Sequence, residues 1–390
     1  MSSVVITASS TPEPPRRQKN TNQQDLEKKL KYFEGKGTLE QPYLIKCFED
    51  LAAISDPSIG EAGLYFKQAN DLVLGYELDT ISISFKGTYD GNKKTIAFDE
   101  KLKTDNVFLF ENIQNSKVYG LALKELSLAK TSRNNSYSNC QTNCLFIENS
   151  CKDTFELCKS SKHRSEFIEN INDSSLCKCS IFAPISLEIN GCTIQDCIVK
   201  QANGENHLAF FENKNIISRT GSNIKINNTY FHIDKEQKRD LGFLSNPSKV
   251  YSGKFWSNHT AWGNSTAPAK TEISITDSLV ISESYIEFKA LLNNNDTSII
   301  NSNNNFYVGL NSNFNHYATP IPQKTLNFRY AESNLQWDFD TIWEWDDQKN
   351  EPKLRNIGLE GYRAEEEKTP EPAQDNRLHQ QLKANIWLGQ

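Results

Sequence analysis

A set of core-type positions spaced 3, 2, 3 and 2 residues apart occurs more than once in this chain, and that recurrence restricts the fold more than any other feature. Val118, Leu121, Leu123, Leu126 and Leu128 show it first, and Ile189, Cys192, Ile194, Cys197 and Val199 repeat it 71 residues later at every position. Ile226, Thr229 and Phe231 reproduce the first three positions another 37 residues on, and Ile275, Ser278 and Val280 do so in weaker form. A phenylalanine-rich element also recurs, as Phe108-Leu109-Phe110-Glu111-Asn112, Leu145-Phe146-Ile147-Glu148-Asn149, Glu166-Phe167-Ile168-Glu169-Asn170 and Phe210-Phe211-Glu212-Asn213. An i, i+2 pair places two side chains on one face of a short strand, and the extra residue of a three-residue interval turns the chain at a corner. Strand, corner, strand, corner with uneven spacing between copies describes a solenoid whose loops vary in length. A β-sandwich accounts for the alternation but not for the matching interval sets. The expected fold is therefore all-β, a single-stranded parallel β-helix over 35–357.

Flanking segments read differently. Residues 1–34 combine a disordered Ser-, Thr-, Pro- and Arg-containing stretch with a short amphipathic helix that places Leu26, Leu30 and Phe33 on one side. Pro42 to Ile45 reads as a strand, Phe48 to Ile54 as a helical turn, and Tyr89-Asp90-Gly91-Asn92 as a tight turn. Residues 358–390 form a linker, Pro- and Glu-rich at Glu365 to Pro372, and then a tail helix with Leu378, Leu382, Ile386 and Trp387 at helical spacing. A short apolar helix beyond a polar linker docks on something: its own solenoid end or a protein partner.

Several of these motifs resemble bacterial surface proteins that carry GLUG-type repeats. Gly35-Lys36-Gly37-Thr38 through Asp50-Leu51 is similar to their opening, as is Phe85 through Ile96, where Lys93 stands in place of the family's usual glycine. Phe108 to Leu128 resembles the repeat itself, and Trp337 to Asp346 with Pro352-Lys353-Leu354 resembles the closing piece. The resemblance implies a right-handed β-helix of pectin-lyase-like shape, found in adhesins and beside the protease domain of IgA-specific metallopeptidases. The later repeats depart from the family in being rich in Cys and Asn and poor in Gly.

Charge narrows the partners. The chain has 43 Lys+Arg against 49 Asp+Glu, a net −6, and no basic block of the kind that grips duplex nucleic acid. Its apolar runs are far too short to span a membrane. The first seventeen residues lack the basic-then-apolar order of a cleavable secretory signal, so the chain is expected to be cytoplasmic or exported by a dedicated secretion system. An Asn-, Lys-, Ile- and Ser-rich composition with a single Met points to a bacterial or phage source.

The candidate chemistry is sparse. Nine cysteines contain no Cys-x-x-Cys pair, and eight fall between Cys140 and Cys197. Cys192 and Cys197 stand where Leu121 and Leu126 stand in the first copy, which favours small buried hydrophobes over a metal or disulfide site. Asp338, Asp340, Asp346 and Asp347 are interleaved with tryptophans in the closing piece and read as turn residues. The six histidines are dispersed, without the His-Glu-x-x-His spacing of a zinc peptidase. Trp256 and Trp262, near Asn258 and Asn264, could stack on a sugar ring or pack on the solenoid flank. The Asn-rich run from Asn293 to Asn305 reads as a long loop rather than an outward ladder. No cofactor and no catalytic residue is expected. The function expected is recognition or scaffolding, adhesin-like or within a secreted or phage-like assembly, through the tail or through a glycan on a solenoid face. The alternatives are a polysaccharide lyase or hydrolase on this fold and a secreted effector cargo. Acids with Lys or Arg in a groove would favour the enzyme, and a groove of Asn, Ser and Thr would count against it.

Overall fold

The computed structural model describes residues 21–75, 83–99, 107–161, 166–182, 185–201, 215–233, 242–244, 272–276, 278–282, 299–303, 305–309, 318–335 and 337–362. They form a right-handed parallel β-helix built from three sheets. Sheet A has eleven strands from Tyr43–Ile45 to Ile299–Asn303, sheet B eleven from Leu72–Leu74 to Thr319–Pro320, and sheet C eight from Ser84–Phe85 to Gly242–Leu244. Each coil visits C, A and B in turn. Seven consecutive coils do so, from Ser84–Phe85, Thr88–Asp90 and Thr95–Phe98 to Asn215–Ser222, Ile224–Asn227 and Tyr230–Ile233.

Register explains why the interval pattern exists. The middle residues of the sheet A strands stack in one column through Tyr43, Phe66, Tyr89, Val118, Tyr137, Phe155, Leu176, Ile194 and Ile226. All are buried, each contributing about 1.5–3 kcal/mol of transfer free energy. Within the column Tyr137 and Phe155 stack at 5.0 Å, and beside it Phe146 and Phe167, each just before a sheet C strand, stack at 5.4 Å.

That register corrects the phase of the sequence repeat. Ile194, not Ile189, is the counterpart of Val118, so Cys197 matches Leu121 and Cys192 matches Ser116. The 3-2 spacing recurs at every corner of the coil, so an alignment by interval alone can slip by one strand without penalty.

Corners turn through residues held at positive φ. Asn115, Asn134, Lys152, Asp173, Gly191 and Asn223 do this between sheets C and A, and Gly120, Asn139, Leu157, Lys178, Asp196 and Asn228 between A and B. Asn and Gly tolerate this left-handed region, which accounts for the asparagines at these corners. Lys93, at φ +60°, occupies it as well. The Asn-rich run expected to be a loop instead supplies the strand Ile299–Asn303, paired in register with Glu272–Thr276. Its residues continue the A rungs, so asparagine here marks coil geometry rather than a break in it.

The N-terminal end is covered by the helices Thr21–Leu30, Phe48–Ala53 and Pro57–Gly60. Leu26 and Leu30 pack on the core, while Phe33, Leu51, Ile54 and Ile59 are buried within it.

The closing piece does more than close an end. After Thr319–Pro320 the chain doubles back along the outside of the solenoid as a strap that runs to Tyr362. Helix Phe328–Leu335, Trp337, Phe339, Trp343 and Leu354 pack on the outer residues Ile198, Tyr230, Leu279, Phe306 and Val308 of sheet B, forming a second core. Gly358 N–H then donates to Leu157 O at 2.7 Å. Tyr362 stacks on Tyr119 at 6.1 Å and donates to Asp90 Oδ1 at 2.6 Å. No helix among the described residues is long and apolar enough to cross a membrane.

Candidate functional site

The outer face of sheet C carries two in-register rows of polar side chains. Asn112, Thr131, Asn149 and Asn170 form one row, and Gln114, Arg133, Cys151, Asn172 and Asn190 the other. The rows exist because burial alternation slips by one in each strand, so that Glu111–Asn112, Lys130–Thr131 and Glu148–Asn149 lie outward in pairs. Asn170 Nδ2 donates to Asn149 Oδ1 at 2.9 Å, Asn190 Nδ2 to Asn172 Oδ1 at 3.3 Å, and Thr131 Oγ1 to Asn112 Oδ1. Beside them Lys130 pairs with Glu111 at 3.0 Å, and the hydrogen bond to Glu111 raises the lysine's pKa.

Between the rows lies an open groove of about 560 Å³. Its wall is formed by Asn112, Gln114, Thr131, Arg133, Asn149 and Asn172, with Glu61 at the margin and Ser132 and Ser150 at the floor. Among the described residues one carboxylate and one guanidinium reach it; the rest are amides, hydroxyls, Cys151 and the buried Phe85 and Ile113.

Beneath the floor a buried polar network fixes the C-to-A corner. Asp153, 1% exposed, accepts from Ser132 Oγ at 2.6 Å and Ser150 Oγ at 2.7 Å through Oδ2, and from Asn135 N–H at 2.8 Å through Oδ1. Asn135 Nδ2 donates to Ser132 Oγ at 2.8 Å, and Ser132 Oγ lies 2.5 Å from Tyr137 Oη. Burial raises the Asp153 pKa even though these hydrogen bonds pull it down. A carboxylate that resists ionisation behind a groove can orient hydroxyls, but it has no path to a ligand.

A second polar cluster pins the strap. Glu351 receives Lys200 Nζ at 3.2 Å, His232 Nδ1 at 3.1 Å and the Tyr230 hydroxyl at 3.0 Å. Burial opposes the charge on Glu351, but the hydrogen bond from His232 and the charge of Lys200 outweigh it and hold the carboxyl near a pKa of about 2. Every partner here is structural, joining strap to sheet B.

The cysteines are all free. Cys140, Cys158, Cys179 and Cys197 stack as a buried column on four successive coils at the A-to-B corner. Their Sγ atoms donate to the preceding coil's carbonyls at Val118, Tyr137, Phe155 and Leu176, 3.4–3.6 Å away. Burial pushes the Cys158, Cys179 and Cys197 thiols well up. No group of His, Cys, Asp or Glu that could hold a metal occurs among the described residues.

The Asp338 carboxylate is engaged by the Asp340 and Thr341 N–H groups and the Thr341 hydroxyl, which lower its pKa, and Asp346 accepts from Gln348 and Lys349 N–H. These acids shape turns. Trp256, Trp262, Leu378, Leu382, Ile386 and Trp387 lie outside the described residues, so neither the aromatic pair nor the tail is placed. What sequence reasoning passed over is Arg133 and the amide rows. The signal for the first row is the Glu-Asn dipeptide that closes the phenylalanine-rich element at Asn112, Asn149 and Asn170. No protein-family model, no curated protein and no solved structure matches this chain.

Proposed function

We propose that this chain is a non-catalytic recognition module that holds an extended, polyhydroxylated chain, a glycan, along the outer face of sheet C. The observation that carries the reading is the pair of in-register amide rows flanking the groove. A side-chain amide offers both a donor and an acceptor, which matches a sugar hydroxyl that is itself both. Parallel rungs repeat the offer every ~4.8 Å along the solenoid, so a long ligand meets the same chemistry again and again. The resemblance to GLUG-repeat, pectin-lyase-like surface domains supports an adhesin-like setting or one in a secreted or phage-like assembly.

The enzymatic alternative is weaker on this face. Glu61 and Arg133 together give the groove one feature of an enzyme, but glycoside hydrolysis normally needs two carboxylates flanking the bond, and Glu61 is the one acid among the described residues that line it. The test is a polysaccharide-binding screen with the full chain and an Asn149→Ala/Asn172→Ala variant, run together with an assay for reducing ends. The reading predicts binding that the double variant loses, with no product released. Binding that survives the double substitution, or release of oligosaccharides, would sink it.

A further inference from the structure

We infer that the glycan held on sheet C is anionic and that Arg133 selects it through its negative group, an inference that rests on the glycan-binding reading of that face. Arg133 is the second member of the second row, between Gln114 on one rung and Cys151 on the next. It is exposed, and among the described residues its guanidinium makes no ion pair or hydrogen bond. The neighbouring cation of sheet C behaves differently: Lys130 is already paired with Glu111 at 3.0 Å. Arg355, in the strap, shows the alternative: it donates to the carbonyls of Trp343 and Phe339 and pairs with Glu344.

An unpaired guanidinium presents a planar set of donors that fits a carboxylate or a sulfate ester in bidentate fashion. Among the described residues the groove wall holds no exposed aromatic ring, and Phe85, at its margin, is buried. Stacking of a sugar face is therefore not the basis of selection here; polar and charged contacts must provide it. The chain's net charge of −6 repels polyanions in general, so an anionic ligand would be held by this local contact rather than by diffuse attraction.

The experiment uses the full chain on an array in which each uronate- or sulfate-bearing polysaccharide is printed beside its carboxyl-reduced or desulfated form. The expected result is binding to acidic members that falls about tenfold or more on their neutralised partners, a difference that Arg133→Gln abolishes. Lys117→Gln, an exposed charge on sheet A, leaves the pattern unchanged and controls for non-specific attraction. Loss on carboxyl reduction or loss on desulfation each supports the inference and tells which group the guanidinium reads. Equal binding of acidic and neutralised forms overturns the inference while leaving the glycan reading in place, as does an effect of Arg133→Gln no larger than that of Lys117→Gln. If the unaltered chain binds nothing on the array, both fall.

Discussion

Removing the Asp153 carboxylate should cost about 3 kcal/mol as alanine and less than about half of that as asparagine. In Asp153→Ala the Asn135 N–H loses its acceptor in a site closed to water, and an unsatisfied buried donor costs roughly 1–3 kcal/mol. The two serine hydroxyls partly rescue themselves, since Ser132 Oγ can turn to Tyr137 and Ser150 Oγ to Ser174 Oγ, 3.5 Å away. The small cavity left behind adds to the cost. In Asp153→Asn the amide oxygen can still receive Asn135 N–H, while the amide nitrogen can donate to the two hydroxyls that formerly donated to Oδ2. Burial raises the native pKa of Asp153, so the folded state binds its proton more tightly than the unfolded state does. Stability from this group therefore falls as pH rises from the unfolded value, about 4, through the raised folded value, and is level above it. Asparagine lacks that slope. Urea unfolding of the three proteins at closely spaced pH values from 4 upward measures both effects, and other titrating groups cancel in the differences. Equal losses for Ala and Asn would refute the hydrogen-bond argument. An Asn-minus-wild-type difference that does not grow with pH would refute the burial argument.

Four further outcomes follow from named contacts. Leu157 sits at φ +56°, so Leu157→Val, with its branched Cβ, should cost ~1–2 kcal/mol more than Leu157→Asn in thermal melts. Gly120 is at φ +62°, and a Cβ there would lie 2.2 Å from the Tyr362 ring. Gly120→Ala should therefore release the strap's end, read as faster proteolysis near residue 362; unchanged cleavage would count against the clasp. Glu351 has a depressed folded pKa of about 2, so its contribution is present above the unfolded value near 4.5 and lost as pH falls towards 2. Glu351→Gln should remove about 2–3 kcal/mol at neutral pH and progressively less in that acid window, followed by strap protection in hydrogen exchange. Finally, iodoacetamide should label the exposed Cys47 first and leave Cys140, Cys158, Cys179 and Cys197 unmodified in the folded chain, with rapid labelling of that column counting against its burial.

Much of the coil was legible in the residues, because a buried column needs an apolar side chain once per strand and leaves its interval in the sequence. Its phase was not, since all three corners impose the same spacing. The strap was harder still. Its contacts, such as Tyr362 with Asp90 and Glu351 with Lys200, join residues 272 and 151 positions apart and follow no period. A trace of it does exist: Ile198-Val199 and Tyr230-Phe231 are buried on both faces, which an exposed sheet would not require. Of the candidate site, the Glu-Asn dipeptides recur in the sequence, but facing outward on one sheet is a property of register. Arg133 carried no local signal at all, because its meaning depends on which rungs lie beside it.

The strap also changes how the molecule should come apart. A solenoid whose coils touch only their neighbours behaves as a one-dimensional array, free to fray from either end in small steps. Here Tyr362 reaches Asp90, and helix Phe328–Leu335 lies near Phe306, so a single segment spans eight rungs, about 38 Å. The coils beneath it cannot be lost one at a time without lifting what binds the others. The strap in turn has no complete surface to bind until all of those coils have formed, which places its closure late in folding. The expected consequence is a repeat protein that melts in a single cooperative step and, once the strap is seated, opens far more slowly than its coils would alone.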